Sequence, residues 1–343
     1  MLKAHKRIAF LDGLRGIAIL LVVLYHAYAR WVDVLPFGNG YANFPLFRFG
    51  WIGVELFFMI SGFVILMTLE NCSSFKEFLF RRWTRLFPAM LVCSILVFCT
   101  ALPERPSGLP ELRDLVPGLT FVDPAWIEAL TGSKQGVLEG AFWSIFVEFK
   151  FYIIFGMIYF FLSRRAALIS LAVIYALGSR LMNYIVTATK SDVLGVLYDT
   201  ADLASGRYYA WFLFGALLYI YYKKPGKTAL LWVALSSILA ILPVCLVLIL
   251  FFMAVYSVRL QKFLCYWPFL LLGFISYPLY LLHENAVVAL TVRLDRSISI
   301  PGLILPIAPI AAVMAIAWAV ARYVEPWIRH RLKIIYVRRE VLA

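Results

Sequence analysis

An all-α, polytopic transmembrane helical bundle is the fold class this sequence predicts, and three observations predict it. Of its 343 residues, 63% are hydrophobic and only 15% are charged, with a mean hydropathy of +0.87. A soluble domain carries about 45–50% apolar and about 25% charged residues, so this chain cannot be solvated on all sides. Apolar runs of about 20 residues recur along its length and match the hydrocarbon thickness of a bilayer when helical. The weak alternation over about ten residues that marks an outer-membrane barrel is absent.

The spans follow in order. The first, 9–29, comes after Lys3, Lys6 and Arg7 and ends on Ala27-Tyr28-Ala29, like a signal peptide with its cleavage site. Asp12 and Arg15 interrupt its apolar core and many spans follow, so it reads as a retained helix. Next come 50–70, 86–102, 142–162 and 166–186, then 208–222, 228–242, 244–258, 266–290 and 303–323, ten spans in all. The run from 228 to 258 is nearly continuous, and Pro243 marks either a turn between two short helices or a kink in one. The one long hydrophilic segment, 103–141, contains five prolines and is too short for a separate enzymatic domain. Its length suits a lid or an acceptor-facing surface as well as a plain connector. One transmembrane domain over 1–343 is expected, with no fused extracytoplasmic domain.

Basic residues test the parity of this count, because Lys and Arg accumulate in cytoplasmic loops. With the N-terminus inside, the cytoplasmic segments hold nineteen basic and four acidic residues, and the exterior ones nine basic and eleven acidic. Both termini are therefore expected in the cytoplasm. The net charge of +13 does not point to nucleic acid, since the aromatics lie inside the apolar runs and not on a solvated basic face. Five scattered cysteines lack C-x-x-C spacing or a neighbouring His cluster, which argues for small core residues and against zinc.

Eight charged residues fall inside spans: Asp12, Arg15, Glu55, Glu148, Lys150, Arg180, Glu284 and Arg322. Each costs at least about 2.5–3.5 kcal/mol at mid-membrane, so each should face the bundle interior or snorkel to an edge. Arg180 and Arg322 suit snorkelling. Arg15 and His26 are eleven residues apart, which on a helix is three turns with about 20° left over and a rise of about 16 Å. They share one stripe, a cation toward the inner face and an imidazole toward the outer. Glu55, Glu148 and His283 fall at the level of His26, where Glu148 or Glu55 is placed to hydrogen-bond the imidazole and orient it as a base. Arg81, Arg82 and Arg85 precede the third span and offer forked donors to phosphates. Taken alone, these residues leave plainer roles open: an Asp12–Arg15 structural pair, a packing histidine, interhelical glue, and positive-inside anchoring.

Six blocks in order carry a resemblance. They are Leu11-Asp12-Gly13-Leu14-Arg15-Gly16 with His26, Gly53-Val54-Glu55-Leu56-Phe57-Phe58 with Ser61-Gly62-Phe63, and Arg81-Arg82 with Arg85 and Pro88. Then follow Trp143-Ser144 with Glu148 and Tyr152, Ser276-Tyr277-Pro278-Leu279-Tyr280 with His283, and Glu325-Pro326. Along almost its whole length the chain resembles the acyltransferase family 3 of membrane-bound O-acyltransferases, which acetylate surface polysaccharides and related acceptors. The resemblance implies that an acyl group, most often acetyl, passes from cytoplasmic acyl-CoA to an acceptor hydroxyl at the outer face. It implies His26, Glu148 and Arg15 as catalytic, and Arg15, Arg81, Arg82 and Arg85 at the donor. Glu55, Ser144, Tyr152, Tyr280 and His283 are then expected at the substrate, a carbohydrate or lipid-linked glycan. Acetyl-CoA is the expected donor, with no tightly bound cofactor or metal. Where the family often has a second acidic residue and a Gln, this chain has Phe149 and Lys150. The rival reading from another class is a proton-coupled exporter of a glycan or lipid using His26, His283, Glu55 and Glu148 as a relay. Such transporters usually carry internal repeats, and none is visible here. A non-catalytic scaffold subunit is the third reading.

Overall fold

A computed structural model describes residues 8–134, 136–226 and 245–342 of the chain. The regular structure among them is helical. Helix α1 (Ala9–Tyr25) continues as a π-helical turn, His26–Arg30, and is followed by the short α2 (Pro45–Arg48), then α3 (Ile52–Leu69) and α4 (Phe75–Cys99). The segment after α4 contains α5 (Leu115–Thr120) and α6 (Pro124–Thr131). Beyond it run α7 (Trp143–Phe161), α8 (Arg164–Leu177), α9 (Arg180–Thr189), α10 (Asp192–Leu203) and α11 (Tyr209–Lys223). After the undescribed stretch come α12 (Cys245–Tyr256), α13 (Val258–Leu264), α14 (Trp267–Asp295) and α15 (Ile307–Ala319), the last joined by the π-turn Val320–Val324 to α16 (Glu325–Leu342).

Five of these helical segments are long and apolar enough to cross a membrane, or up to seven if two bent pairs each count as one span, among the described residues. The longest helix, α14 at 29 residues, carries the polar run His283-Glu284-Asn285 midway, which dilutes its apolarity. The expected span at 228–242 and the Pro243 question lie outside the described residues. The span expected at 166–186 is two helices, α8 and α9, bent by 50° at Gly178-Ser179. The stretch after it, expected as a loop, forms α10, capped by Ser191. Helix α4 starts at Phe75, eleven residues before the expected boundary, because the Ser74 hydroxyl accepts the Glu77 backbone N–H at 3.2 Å and caps it. The arginines that looked like a loop signal are thus helical.

The pairing that positions the site is α1 on α14. Gly16 and Gly273 let the two backbones meet: a Cβ on Gly16 would run into the carbonyl of Phe269, and one on Gly273 into the carbonyl of Asp12. Backbone cannot give way as a flexible side chain does, so Gly273→Ala should destabilise the protein by about 1–3 kcal/mol. It should also lower activity, because α1 and α14 carry most of the site between them. A thermal melt in detergent checks the first effect, and an unchanged midpoint would contradict this packing.

Elsewhere in the bundle, Glu70 just past α3 accepts from the Tyr219 hydroxyl and Lys223, each at 2.7 Å, and pairs with Arg164 at 2.8 Å. Burial alone would raise its carboxyl, but these partners outweigh it and hold the group below the usual carboxylate range. The segment 103–141 is tied down through Lys150 of α7, whose ammonium meets Asp123 at 2.7 Å, the Leu203 carbonyl at 2.8 Å and Ser205 Oγ at 3.1 Å. Trp126 of α6 donates to the same Leu203 carbonyl at 2.9 Å. Lys150, which stands where the resemblance led to expect another residue, therefore fastens this segment and α10 to α7. Lys150→Met leaves Asp123 unpaired, and because Asp123 is partly solvated the loss should be about 3 kcal/mol, at the low end for a buried pair. Limited proteolysis within 103–141 should then accelerate; equal rates would contradict the tether.

Candidate active site

A cleft opens between α1, α3, α4, α7 and α14. Arg15, Arg82 and Arg85 line it together with Ser61, Glu148, Tyr152, Tyr277 and Tyr280. Arg15 Nη1 is held by Asp12 at 2.8 Å, three residues back on the same helix face. Arg82 is only 7% exposed; its Nη2 donates to Thr68 Oγ1 and its guanidinium lies over the Tyr152 ring at 5.9 Å. Its Nε and Nη1 have no protein partner. A buried guanidinium with two unpartnered nitrogens is costly unless an anion completes it, and a phosphate suits its fork. The one carboxylate in the wall, Glu148, accepts from Ser61 Oγ and the Tyr152 hydroxyl, both at 2.5 Å. With Arg15 paired to Asp12, Arg82 and Arg85 against Glu148 still leave the cleft positive.

Arg81 is not part of this wall. It pairs with Glu77 one turn back at 2.5 Å. On a helix with 100° per residue, Arg85 lies between Arg81 and Arg82 in angle, and the cleft takes the Arg82 side. The structure thus brings three of the four expected donor arginines together, Arg15, Arg82 and Arg85.

At the far end of the cleft the Tyr280 hydroxyl lies 2.8 Å from Ser144 Oγ and donates to the Ala141 carbonyl at 3.0 Å. Immediately beyond, on the same face of α14, lies the histidine pair. His283 Nδ1 is 2.9 Å from the Tyr280 carbonyl. A carbonyl only accepts, so in the neutral ring Nδ1 carries the proton and Nε2 the lone pair. His283 Nε2 is 3.1 Å from His26 Nδ1, and the latter is also 2.9 Å from the Val22 carbonyl. Both neighbours are acceptors, so His26 Nδ1 is the donor to both. This network assigns the lone pair of His26 to Nε2. That nitrogen is 3.6 Å from Glu284 Oε1, and 12% of the His26 side chain remains accessible. The other Glu284 oxygen accepts the Ala141 backbone N–H, and Gly140 leaves room for the carboxylate, which a Cβ there would approach to 2.8 Å. His26 opens the π-turn of the first span, a deviation from α-geometry frequent at functional sites.

The constellation at His26 therefore differs from the expected one. Glu148 and Glu55 were the expected orienting groups, but His283 orients the ring and Glu284 faces its basic nitrogen. Glu148 sits in the second turn of α7 and is taken up by α3 and its own helix. Glu55, 8% exposed, keeps one oxygen without a partner and lies outside the cleft wall. Ser144, Tyr152 and Tyr280 do line the cleft, and Tyr280 joins it to the histidines. Glu284 carried no role in the sequence reading, although an intramembrane carboxylate beside a candidate histidine was a usable signal. Chemically, the arrangement offers a positive cleft leading to an oriented proton acceptor with a carboxylate in reach of the imidazolium it forms. Among the described residues no group of His, Cys, Asp and Glu has metal-site geometry.

The fold and site define a membrane-spanning helical protein with an arginine-lined cleft beside a buried histidine pair. The chain belongs to the acyltransferase 3 family: that family's acyltransferase domain matches residues 8–323. With its several apolar helices, it is an integral membrane protein. It is similar to the O-acetyltransferase OatA of Staphylococcus aureus strains NCTC 8325, COL and MRSA252, with 30% identity over 168 residues in each. The match covers 45% of this chain and 25% of each relative, so the chain matches about a quarter of their length. No solved structure matches.

Proposed function

We propose that the protein transfers an acetyl group from cytoplasmic acetyl-CoA to a hydroxyl of a carbohydrate or lipid-linked glycan at the outer side of a bacterial inner membrane. The observation that carries this reading is His26, whose Nε2 faces Glu284 and whose partner His283 packs against Tyr280 of the arginine cleft. The relatives named O-acetyltransferase support acetyl as the transferred group.

In this reading Arg82 and Arg85 grip the donor phosphates, and Arg15 shares the same wall. His26 Nε2 accepts the proton of the acceptor hydroxyl as its oxygen attacks the acetyl carbonyl and the carbon–sulfur bond breaks. Glu284 steadies the imidazolium, which then returns the proton to the departing thiolate. His283 keeps Nδ1 of His26 as the donor, so that Nε2 is always the base. Tyr280 and Ser144 must part for the thioester to reach it.

The test is purified protein in lipid nanodiscs given acetyl-CoA and a lipid extract of the producing cells. Release of CoA with gain of one acetyl mass on an extract component is expected. An exporter yields neither, and that result would end this reading. Glu284→Gln, which keeps the shape and removes the charge, should lower turnover about 10- to 100-fold while leaving acetyl-CoA affinity intact.

A further inference from the structure

A second recess, separate from the arginine cleft, opens between α4, α14 and α15. Its walls are mainly apolar, with Leu96 and Val97 on α4, Ala286 and Leu290 on α14, and Val313 and Ile316 on α15. Its polar lining includes Arg105, Glu139 and Asn285. Arg105 is 5% exposed and Glu139 1%. Asn285 holds Glu139 Oε2 with its side-chain amide at 2.7 Å and its backbone N–H at 3.1 Å, and Arg105 Nη2 donates to the Leu138 carbonyl. Glu139 Oε1, Arg105 Nε and Arg105 Nη1 are left without a protein partner.

Unsatisfied buried groups of this kind cost about 1–3 kcal/mol each, more when charged. A hydroxyl-rich head both donates and accepts, so it suits a recess lined by a lone carboxylate oxygen and by free guanidinium N–H groups. The recess is also wired to the histidine pair. Asn285 follows Glu284 in the chain, and Ala141, two residues after Glu139, gives its N–H to Glu284. From Leu282 to Arg293, both in its lining, α14 rises about 16 Å, enough to accompany a lipid chain.

We infer that this recess binds the acceptor, and that the acceptor is an amphiphile: a sugar head set on Arg105 and Glu139, with its apolar chain lying between α4 and α15. This rests on the acyl-transfer reading above.

The experiment uses the protein in nanodiscs and two photoreactive probes, a dodecyl glucoside with a diazirine on its chain and the same diazirine-bearing chain without the sugar. The glucoside should label peptides of α4, α14 and α15 around the recess, and the headless chain should not concentrate there. Glu139→Gln and Ala286→Phe should each reduce that labelling about tenfold, the value of one charge-assisted hydrogen bond or of a blocked wall. Ala286→Phe should leave acetyl-CoA binding unchanged. If the headless chain labels the same peptides as strongly, or if both variants label like the parent, the recess holds ordinary bilayer lipid and the inference is wrong. Labelling needs no turnover, so a His26→Ala protein should still label. A parent protein that labels the recess but transfers no acetyl group would overturn the reaction and leave the binding site standing.

Discussion

Replacing His26 by alanine should lower acetyl transfer by about 10²–10⁴-fold, the usual worth of a positioned general base, while acetyl-CoA binding stays within about twofold. His26 Nε2 bears the free lone pair, and it lies outside the arginine cleft. Turnover and donor affinity should therefore separate cleanly. His283→Gln provides the contrast. Glutamine can still accept from His26 Nδ1 but does not fix the ring as well, so an intermediate loss is expected, with the pH profile displaced. Rates from purified protein at saturating acetyl-CoA check both. A His26→Ala variant with parental turnover would remove the base from the mechanism, and one that loses donor binding equally would move His26 into the donor site.

The second large effect belongs to Arg82. Its Nε and Nη1 are buried donors in the cleft without a protein partner, so Arg82→Gln should weaken acetyl-CoA binding about 10- to 100-fold, corresponding to about 1.5–3 kcal/mol for charge-assisted bonds to a phosphate. Turnover at saturating donor should change little. Arg81→Gln is the control, because Arg81 is spent on Glu77 and faces away. Equilibrium binding of radiolabelled acetyl-CoA distinguishes them. Equal losses in the two variants would mean that the arginines act only as a diffuse positive surface.

The geometry of the first span was legible in the sequence. The eleven-residue step from Arg15 to His26 put both on one stripe, and that stripe does lie against α14, with Arg15 in the cleft and His26 on His283. Helix geometry within one span is fixed by the chain itself, so it can be read from spacing. Which helix meets which cannot. His26 lies against α14 because Gly16 and Gly273 let these backbones touch, and nothing local to Glu148 or Glu55 says that their side chains turn elsewhere. The start of α4 was missed because Lys76, Arg81, Arg82 and Arg85 lower the hydropathy there. The Ser74-x-x-Glu77 pattern of a capping box was the available signal. Lys150 read as an anomaly because its partners, Asp123 and Leu203, come from segments distant in sequence.

A cryo-electron microscopy structure with a non-hydrolysable acetyl-CoA analogue would probe the division of labour between cleft and histidine pair most directly. The phosphates should sit on Arg82 and Arg85, the Tyr280–Ser144 contact should be opened, and the acetyl carbonyl should lie about 3–3.5 Å from a site where a hydroxyl also reaches His26 Nε2. Density for the analogue in the cleft with its acetyl end pointing away from His26, or no density on those arginines, would contradict it.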